Sequence, residues 1–214
     1  MRNLKKRTLT AFSLIILLAL MFKYKLILLS SLLILGILAI IEFFNLTKNI
    51  LRNKINYFFL NLIFIVYLFI FSLMFFIFSN FYELKIILFC ILFACIASDT
   101  GGYIIGNLIG GPKLAKISPK KTISGAIGSI IFSSIIFSIS IYFFSNYINF
   151  VFMIIGAFTS LACQLGDLFF SYLKRRAKIK DTSNLLPGHG GILDRIDSIL
   201  LGVPIGFCSL IIFF

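Results

Sequence analysis

The stretch NFVFMIIGAFTSLACQLGDLFFSYLKRRAKIKD, residues 149–181, divides sharply in two. From Asn149 to Tyr172 Asp167 is the sole charged residue, and then Lys174, Arg175, Arg176, Lys178 and Lys180 crowd together. Crossing a bilayer takes roughly 20 helical residues, and basic residues collect on the cytoplasmic flank of such a span. The stretch therefore reads as a transmembrane helix emerging at the inner face.

Working outward, the same pattern recurs along a 214-residue chain that is 60% hydrophobic. Apolar segments lie at about 9–22, 26–44, 57–78, 86–109, 122–144, 149–172 and 198–214. The expected fold class is all-α, a polytopic integral membrane helical bundle with at least seven transmembrane helices. The first segment is short. The fourth is long, which leaves it open to being re-entrant, broken or two elements.

The basic residues orient the bundle. With the N-terminus in the cytoplasm, all but Lys23, Lys25 and Lys85 of the twenty Lys and Arg residues fall on the inner side. Residues 1–22 resemble a signal peptide, yet no small-x-small cleavage pattern follows and Lys23-Tyr24-Lys25 leads into another span, so an uncleaved first helix is expected. Inner flanks and anionic headgroups account for the net charge of +13, and no nucleic-acid partner is implied. Cys90, Cys95, Cys163 and Cys208 lie within apolar spans, without C-x-x-C spacing, and read as small buried hydrophobes rather than disulfide or zinc ligands.

The seven carboxylates are more telling. They are Glu42, Glu83, Asp99, Asp167, Asp181, Asp194 and Asp197. Placing an ionised Asp mid-membrane costs about 2.5–3.5 kcal/mol on insertion scales, so Asp99 and Asp167 should face partners or a wet cavity. At 100° per residue Gln164, Asp167, Ser171, Lys174, Lys178 and Asp181 share one face, provided the helix continues beyond the membrane.

The loop LPGHGGILDRIDS, residues 186–198, follows. Pro187 and three glycines exclude a helix through 187–191 and permit close backbone approach to a ligand, while the last span starts near Leu193. Amides at that helix start would suit phosphate oxygens. Asp194 and Asp197 are i, i+3 neighbours, which fits either favourable helix-dipole carboxylates or ligands of Mg²⁺. His189 either hydrogen-bonds within the loop or donates to a phosphate.

A second inner segment, residues 98–125, contains Ser98-Asp99-Thr100-Gly101 and Ser118-Pro119-Lys120-Lys121-Thr122. Here Ser118 is expected to cap a helix whose first residue is Pro119, setting Lys120 and Lys121 where an anion would bind. Gly102, Gly106 and Gly110 recur every four residues, a helix-packing pattern. Neither a Walker nor a Rossmann glycine loop is present.

The run Ser171-x-Leu173-Lys174-Arg175, four residues, Lys180-Asp181-x-Ser183, two residues, Leu186-Pro187-x-His189-Gly190-Gly191-Ile192-x-Asp194-Arg195-Ile196-Asp197 resembles the signature of the phosphatidate cytidylyltransferases without a mismatch over its 27 positions. The S-D-T-G and S-P-K-K-T segments are similar to that family as well, so the likeness covers about residues 95–214. Two departures stand out: Ser124 where the family often has an acidic residue, and an N-terminal half that is similar only in being a set of spans. The division implied is residues 1–94 as N-terminal transmembrane helices and 95–214 as a catalytic transmembrane region with cytoplasmic loops, in one membrane-embedded unit.

The resemblance implies transfer of the cytidylyl group of CTP to phosphatidate, with pyrophosphate released, at the cytoplasmic face of a bacterial membrane. Because the lipid phosphate is the nucleophile, positioning and charge neutralisation would carry the catalysis. Asp167 and Asp194 are expected to hold Mg²⁺, with Asp197 and Asp181 as further ligands or orienters of the lysines and a second cation as an option. Lys120, Lys121, Lys174, Arg175, Lys180 and Arg195 would bind phosphates, Ser171 and His189 would contact substrate, and Asp99 would line the cavity. Expected partners are CTP, phosphatidate and membrane lipids, with a homodimer among the possible assemblies. Alternative readings are CTP-dependent transfer to another lipid phosphate and, in a different class, a cation-coupled transporter.

Overall fold

The computed structural model describes residues 2–115, 117–183, 185 and 190–213, with side chains from residue 12 onward. Among them the chain forms seven α-helices and one short hairpin: α1 Arg2–Lys23, α2 Lys25–Ile50, α3 Lys54–Phe78, α4 Tyr82–Ile109, β1 Lys113–Ala115, β2 Ser118–Thr122, α5 Ile123–Ser145, α6 Phe150–Arg176 and α7 Leu193–Phe213. Six of these helices, α2 to α7, are long and apolar enough to cross a membrane; the apolar part of α1 is Phe12–Lys23. The fourth span is one unbroken helix of 28 residues, neither re-entrant nor divided.

Burial is inverted relative to a water-soluble protein. Leu26, Leu108, Phe143 and Ile212 are exposed, whereas Glu42, Asn61, Ser133, Thr159 and Ser160 are buried. That distribution suits a lipid solvent, in which polar groups must find partners inside the protein. This is a membrane protein.

Two compact units make up the chain: Met1–Phe81 with Leu173–Ile196, and Tyr82–Tyr172 with Asp197–Phe214. In the first, α2 and α3 meet through stacked rings of Phe43 and Phe64, with centroids 3.8 Å apart, and through Thr47 Oγ1, 3.0 Å from Asn61 Oδ1. Asn53 caps α3 by accepting from the Ile55 amide at 2.9 Å.

Small residues hold the second unit together. A Cβ on Gly101 would come within 2.6 Å of Phe132, and one on Gly125 within 2.8 Å of the Gly102 carbonyl, so α4 and α5 approach nearly backbone to backbone. Ser98 and Ser160 hydroxyls pair at 2.8 Å, and Ser133 donates to the Gly156 carbonyl at 2.9 Å. Gly102 and Gly106 belong to this packing as the four-residue spacing suggests. Gly110 does not: its φ of 67° ends α4, and no atom lies within 4 Å of its Cβ position.

Two local expectations are corrected. Ser118 and Pro119 do not start a helix; they lie in β2, paired antiparallel with β1, and Thr122 caps α5 by accepting from the Gly125 amide at 3.1 Å. Nor does α6 carry its polar stripe to Lys178 and Asp181. The Ile179 amide donates to the Lys174 carbonyl at 3.0 Å and the Lys178 amide to Arg175 at 3.1 Å, with Lys178 left-handed at φ 58°. These paired bonds form a Schellman stop, built on a lysine where glycine is usual.

Candidate active site

In the first unit Thr182 and Gly191 meet the start of α7. Lys174, on the last turn of α6, extends its ammonium to Asp194 Oδ1 at 2.8 Å. The other oxygen of Asp194 accepts from the Thr182 amide at 2.9 Å and the Gly191 amide at 3.0 Å. Thr182 Oγ1 lies 3.1 Å from it. The Asp194 side chain is only 8% exposed, so a buried lysine and fixed amides replace the water it has lost.

Next to this pair sits a carboxylate that sequence reasoning passed over. Glu42, from the C-terminal third of α2, is 2% exposed. One of its oxygens accepts from Ser183 Oγ at 2.6 Å and the Ile192 amide at 3.0 Å. Its other oxygen accepts from Thr182 Oγ1 and the Leu193 amide, both at 2.8 Å. The amides of Gly191, Ile192 and Leu193 are therefore not available to phosphate oxygens, contrary to expectation: Glu42 takes Ile192 and Leu193, and Asp194 takes Gly191. Gly191 is required for this closeness, because its Cβ would fall 2.0 Å from Thr182 Oγ1 and 2.5 Å from Glu42 Oε2. The close approach that Gly190 and Gly191 permit is to protein groups.

In the second unit Asp167 pairs with Lys121 through one oxygen, and Ser171 donates to the other at 3.3 Å. Lys121 comes from β2 and Asp167 from α6, which gives the hairpin a purpose: it brings the S-P-K-K-T lysine onto the helix. Lys120, beside it in β2, is exposed. Ser124, at the position where an acidic residue is common, donates to the Gly110 carbonyl and so ties α5 to the end of α4. Ser198 donates to Asp99 at 2.9 Å, and Asp197 is buried, accepting from the Ser198 amide at 2.9 Å.

The remaining expected residues are more open. Arg175, Lys180, Asp181 and Arg195 are exposed; Arg175 donates to the Ile179 carbonyl at 3.2 Å, and Asp181 Oδ1 lies 3.8 Å from the Cβ position of Gly190. His189 and Pro187 lie outside the described residues.

A family model described as the cytidylyltransferase family matches residues 2–213. The chain belongs to the cytidylyltransferase family. Within it, the chain is similar to proteins named phosphatidate cytidylyltransferase from Rickettsia bellii (strain RML369-C), 46% identical over 129 residues covering 56% of this chain and 54% of the relative. The Bacillus subtilis (strain 168) protein of that name is 40% identical over 128 residues, covering 58% and 48%. That from Mycobacterium leprae (strain TN) is 37% identical over 123 residues, covering 57% and 39%. The chain spans about half the length of the curated relatives it matches.

For a magnesium ion, the two carboxylates differ. Among the described residues no group of three or more His, Cys, Asp or Glu is arranged for a metal. Mg²⁺ needs only one or two carboxylates when phosphate and water complete its shell. Asp167, 31% exposed beside a partly exposed lysine, fits that demand. Both carboxylates have each oxygen engaged by a protein donor, but Asp194 is 8% exposed and held by a buried lysine and two amides, and a metal there would have to displace Lys174.

Glu42 could have been found from composition. It is a carboxylate within an apolar segment, near its C-terminal end, and the cost that drew attention to Asp99 and Asp167 bears on it as well.

Proposed function

We propose that this cytidylyltransferase-family chain transfers the cytidylyl group of CTP to phosphatidate. A phosphate oxygen of the lipid attacks the α-phosphorus of CTP, the bond from that phosphorus to the β-phosphate oxygen breaks, and CDP-diacylglycerol and pyrophosphate leave. The observation that carries this reading is that the signature charges fold into lysine–aspartate pairs, Lys174 with Asp194 and Lys121 with Asp167. Reactants so rich in negative charge need cations already positioned for them, because donors held in place spend no energy reorganising during reaction.

Lys120 and Lys121 bind phosphate oxygens from the hairpin, with Ser171 and Asp167 steering Lys121. Lys174 is oriented by Asp194, and Arg175, Lys180 and Arg195 supply further positive charge. Asp167 would hold Mg²⁺ that arrives with the nucleotide. That ion, when bound, would neutralise phosphate oxygens and the departing pyrophosphate. Asp99 ties α4 to α7 through the Ser198 hydroxyl, and Asp197 accepts from the Ser198 amide.

We place the N-terminus and these charges on the cytoplasmic side of a bacterial membrane, with α1 as a seventh span, on the asymmetry of basic residues. The test is conversion of labelled CTP by the purified chain in vesicles containing phosphatidate or a polyprenol phosphate. Lipid-linked label and pyrophosphate should appear with phosphatidate. Label on the polyprenol alone would refute the acceptor, and no pyrophosphate with any lipid would refute the reaction.

A further inference from the structure

We infer that Glu42 is a positioning residue for the reaction: a carboxylate from the N-terminal helices that holds Thr182, Ser183, Ile192 and Leu193 so that Asp194 meets Lys174. The kinetic part of this inference rests on the proposed transferase function.

The pattern of donors shows why the residue must be Glu. Each of its two oxygens receives one hydroxyl and one backbone amide: Ser183 and Ile192 on one, Thr182 and Leu193 on the other. Hydroxyls can turn round and accept, but backbone amides cannot. Glutamine would therefore face a fixed N–H with its own NH₂ whichever way it is flipped. Aspartate is one methylene short. Only a glutamate carboxylate satisfies all four donors from that position on α2.

The link to the site passes through Thr182. Its hydroxyl lies between Glu42 Oε2 at 2.8 Å and Asp194 Oδ2 at 3.1 Å, while its amide donates to Asp194 at 2.9 Å. A hydroxyl has one hydrogen, so its rotation shares a proton between the two carboxylates. Glu42 reaches no reacting group directly in this arrangement. Its influence runs through the hydroxyl of Thr182 and the amides of Ile192 and Leu193, which set where α7 begins and hence where Asp194 points.

A structural cap and a positioning residue differ in what their loss changes. The full chain in lipid nanodiscs carrying Glu42→Gln, Thr182→Val or Thr182→Ser is to be compared with wild type in two ways. Trypsin cleavage after Arg176 and Lys178, both exposed, reports how firmly the following segment is anchored. Turnover with CTP and phosphatidate is split into kcat and KM. We expect Glu42→Gln to be cleaved at least tenfold faster and to lose about 10–100-fold in kcat, as for other partners that orient an active group. Thr182→Val should lose kcat to a similar extent with a smaller fall in melting temperature than Glu42→Gln, because the amide bonds to Glu42 remain. Thr182→Ser should behave as wild type.

The inference is overturned if Glu42→Gln keeps wild-type cleavage and kcat, or if its turnover per folded molecule is normal. It is equally overturned if Thr182→Val keeps wild-type kcat. Should the wild-type chain make no CDP-diacylglycerol, the transferase reading fails by itself, and the cleavage rate of Glu42→Gln still decides whether Glu42 anchors the segment.

Discussion

Adding one methyl group at Gly191 tests the site's construction most severely. The backbone there has no left-handed requirement, so Gly191→Ala acts through space alone. Its Cβ would lie 2.0 Å from Thr182 Oγ1, 2.5 Å from Glu42 Oε2 and 2.9 Å from Glu42 Cδ, against an ordinary contact of at least 3.4 Å. The hydroxyl must therefore move roughly 1.4 Å and the carboxylate oxygen roughly 0.9 Å. Bonds of 2.6–3.0 Å stretched by that much exceed hydrogen-bonding range. Losing two hydrogen bonds to a charged acceptor costs about 3–6 kcal/mol. Reduced freedom of the unfolded chain returns about 0.4–1 kcal/mol, for a net loss of about 2–6 kcal/mol. Thermal unfolding of the solubilised chain, followed by gel filtration, should show a clear drop for Gly191→Ala. Gly36→Ala, with no atom within 4 Å in the middle of α2, should be neutral or stabilise by up to about 1 kcal/mol. If the two variants melted alike, the crowding of Glu42, Thr182 and Gly191 would be refuted.

Other outcomes follow from the same geometry. Lys178→Gly should raise stability by about 1 kcal/mol in a melting experiment, since it relieves a left-handed lysine at the end of α6. Thr122→Ala should lower it by about 1 kcal/mol through loss of the α5 cap, and a hairpin loosened in this way should raise the KM for CTP by way of Lys121. Asp194→Asn leaves the Lys174 ammonium buried without its carboxylate, and unfolding should become easier by about 3–5 kcal/mol; Lys174→Met with Asp194→Asn should recover part of that loss. Chelating divalent ions should stop turnover and added Mg²⁺ restore it, while Asp167→Asn should raise the Mg²⁺ concentration needed for half-maximal rate.

Most of the helices were legible because apolar runs interrupted by lysines mark spans, although the short first and long fourth runs left the count open. Residues 149–172 became α6, and Leu193 does begin α7. What escaped notice was set by partners distant in sequence. Glu42 binds groups 140 to 151 residues away, and local pattern carries no trace of such a pairing. Ser118-Pro119 has the chemistry of a helix start, yet pairing with Lys113–Ala115 draws it into a strand and moves the cap to Thr122. The stripe on α6 stops at Arg176 because Lys178 adopts a conformation that glycine usually supplies, and a lysine gives no warning of it. Asp194 and Lys174 were both singled out beforehand, but their mutual pairing and the capture of the α7 amides by Glu42 required coordinates.

The central claim is met most directly by following the α-phosphate of CTP. Purified chain, Mg²⁺, phosphatidate vesicles and CTP labelled at the α-phosphorus should yield labelled CDP-diacylglycerol with one pyrophosphate released per lipid formed. Folded Asp167→Asn should form product at least tenfold more slowly. Label that stays in the aqueous phase, or a folded Asp167→Asn that works at the wild-type rate at every Mg²⁺ concentration, would contradict the account.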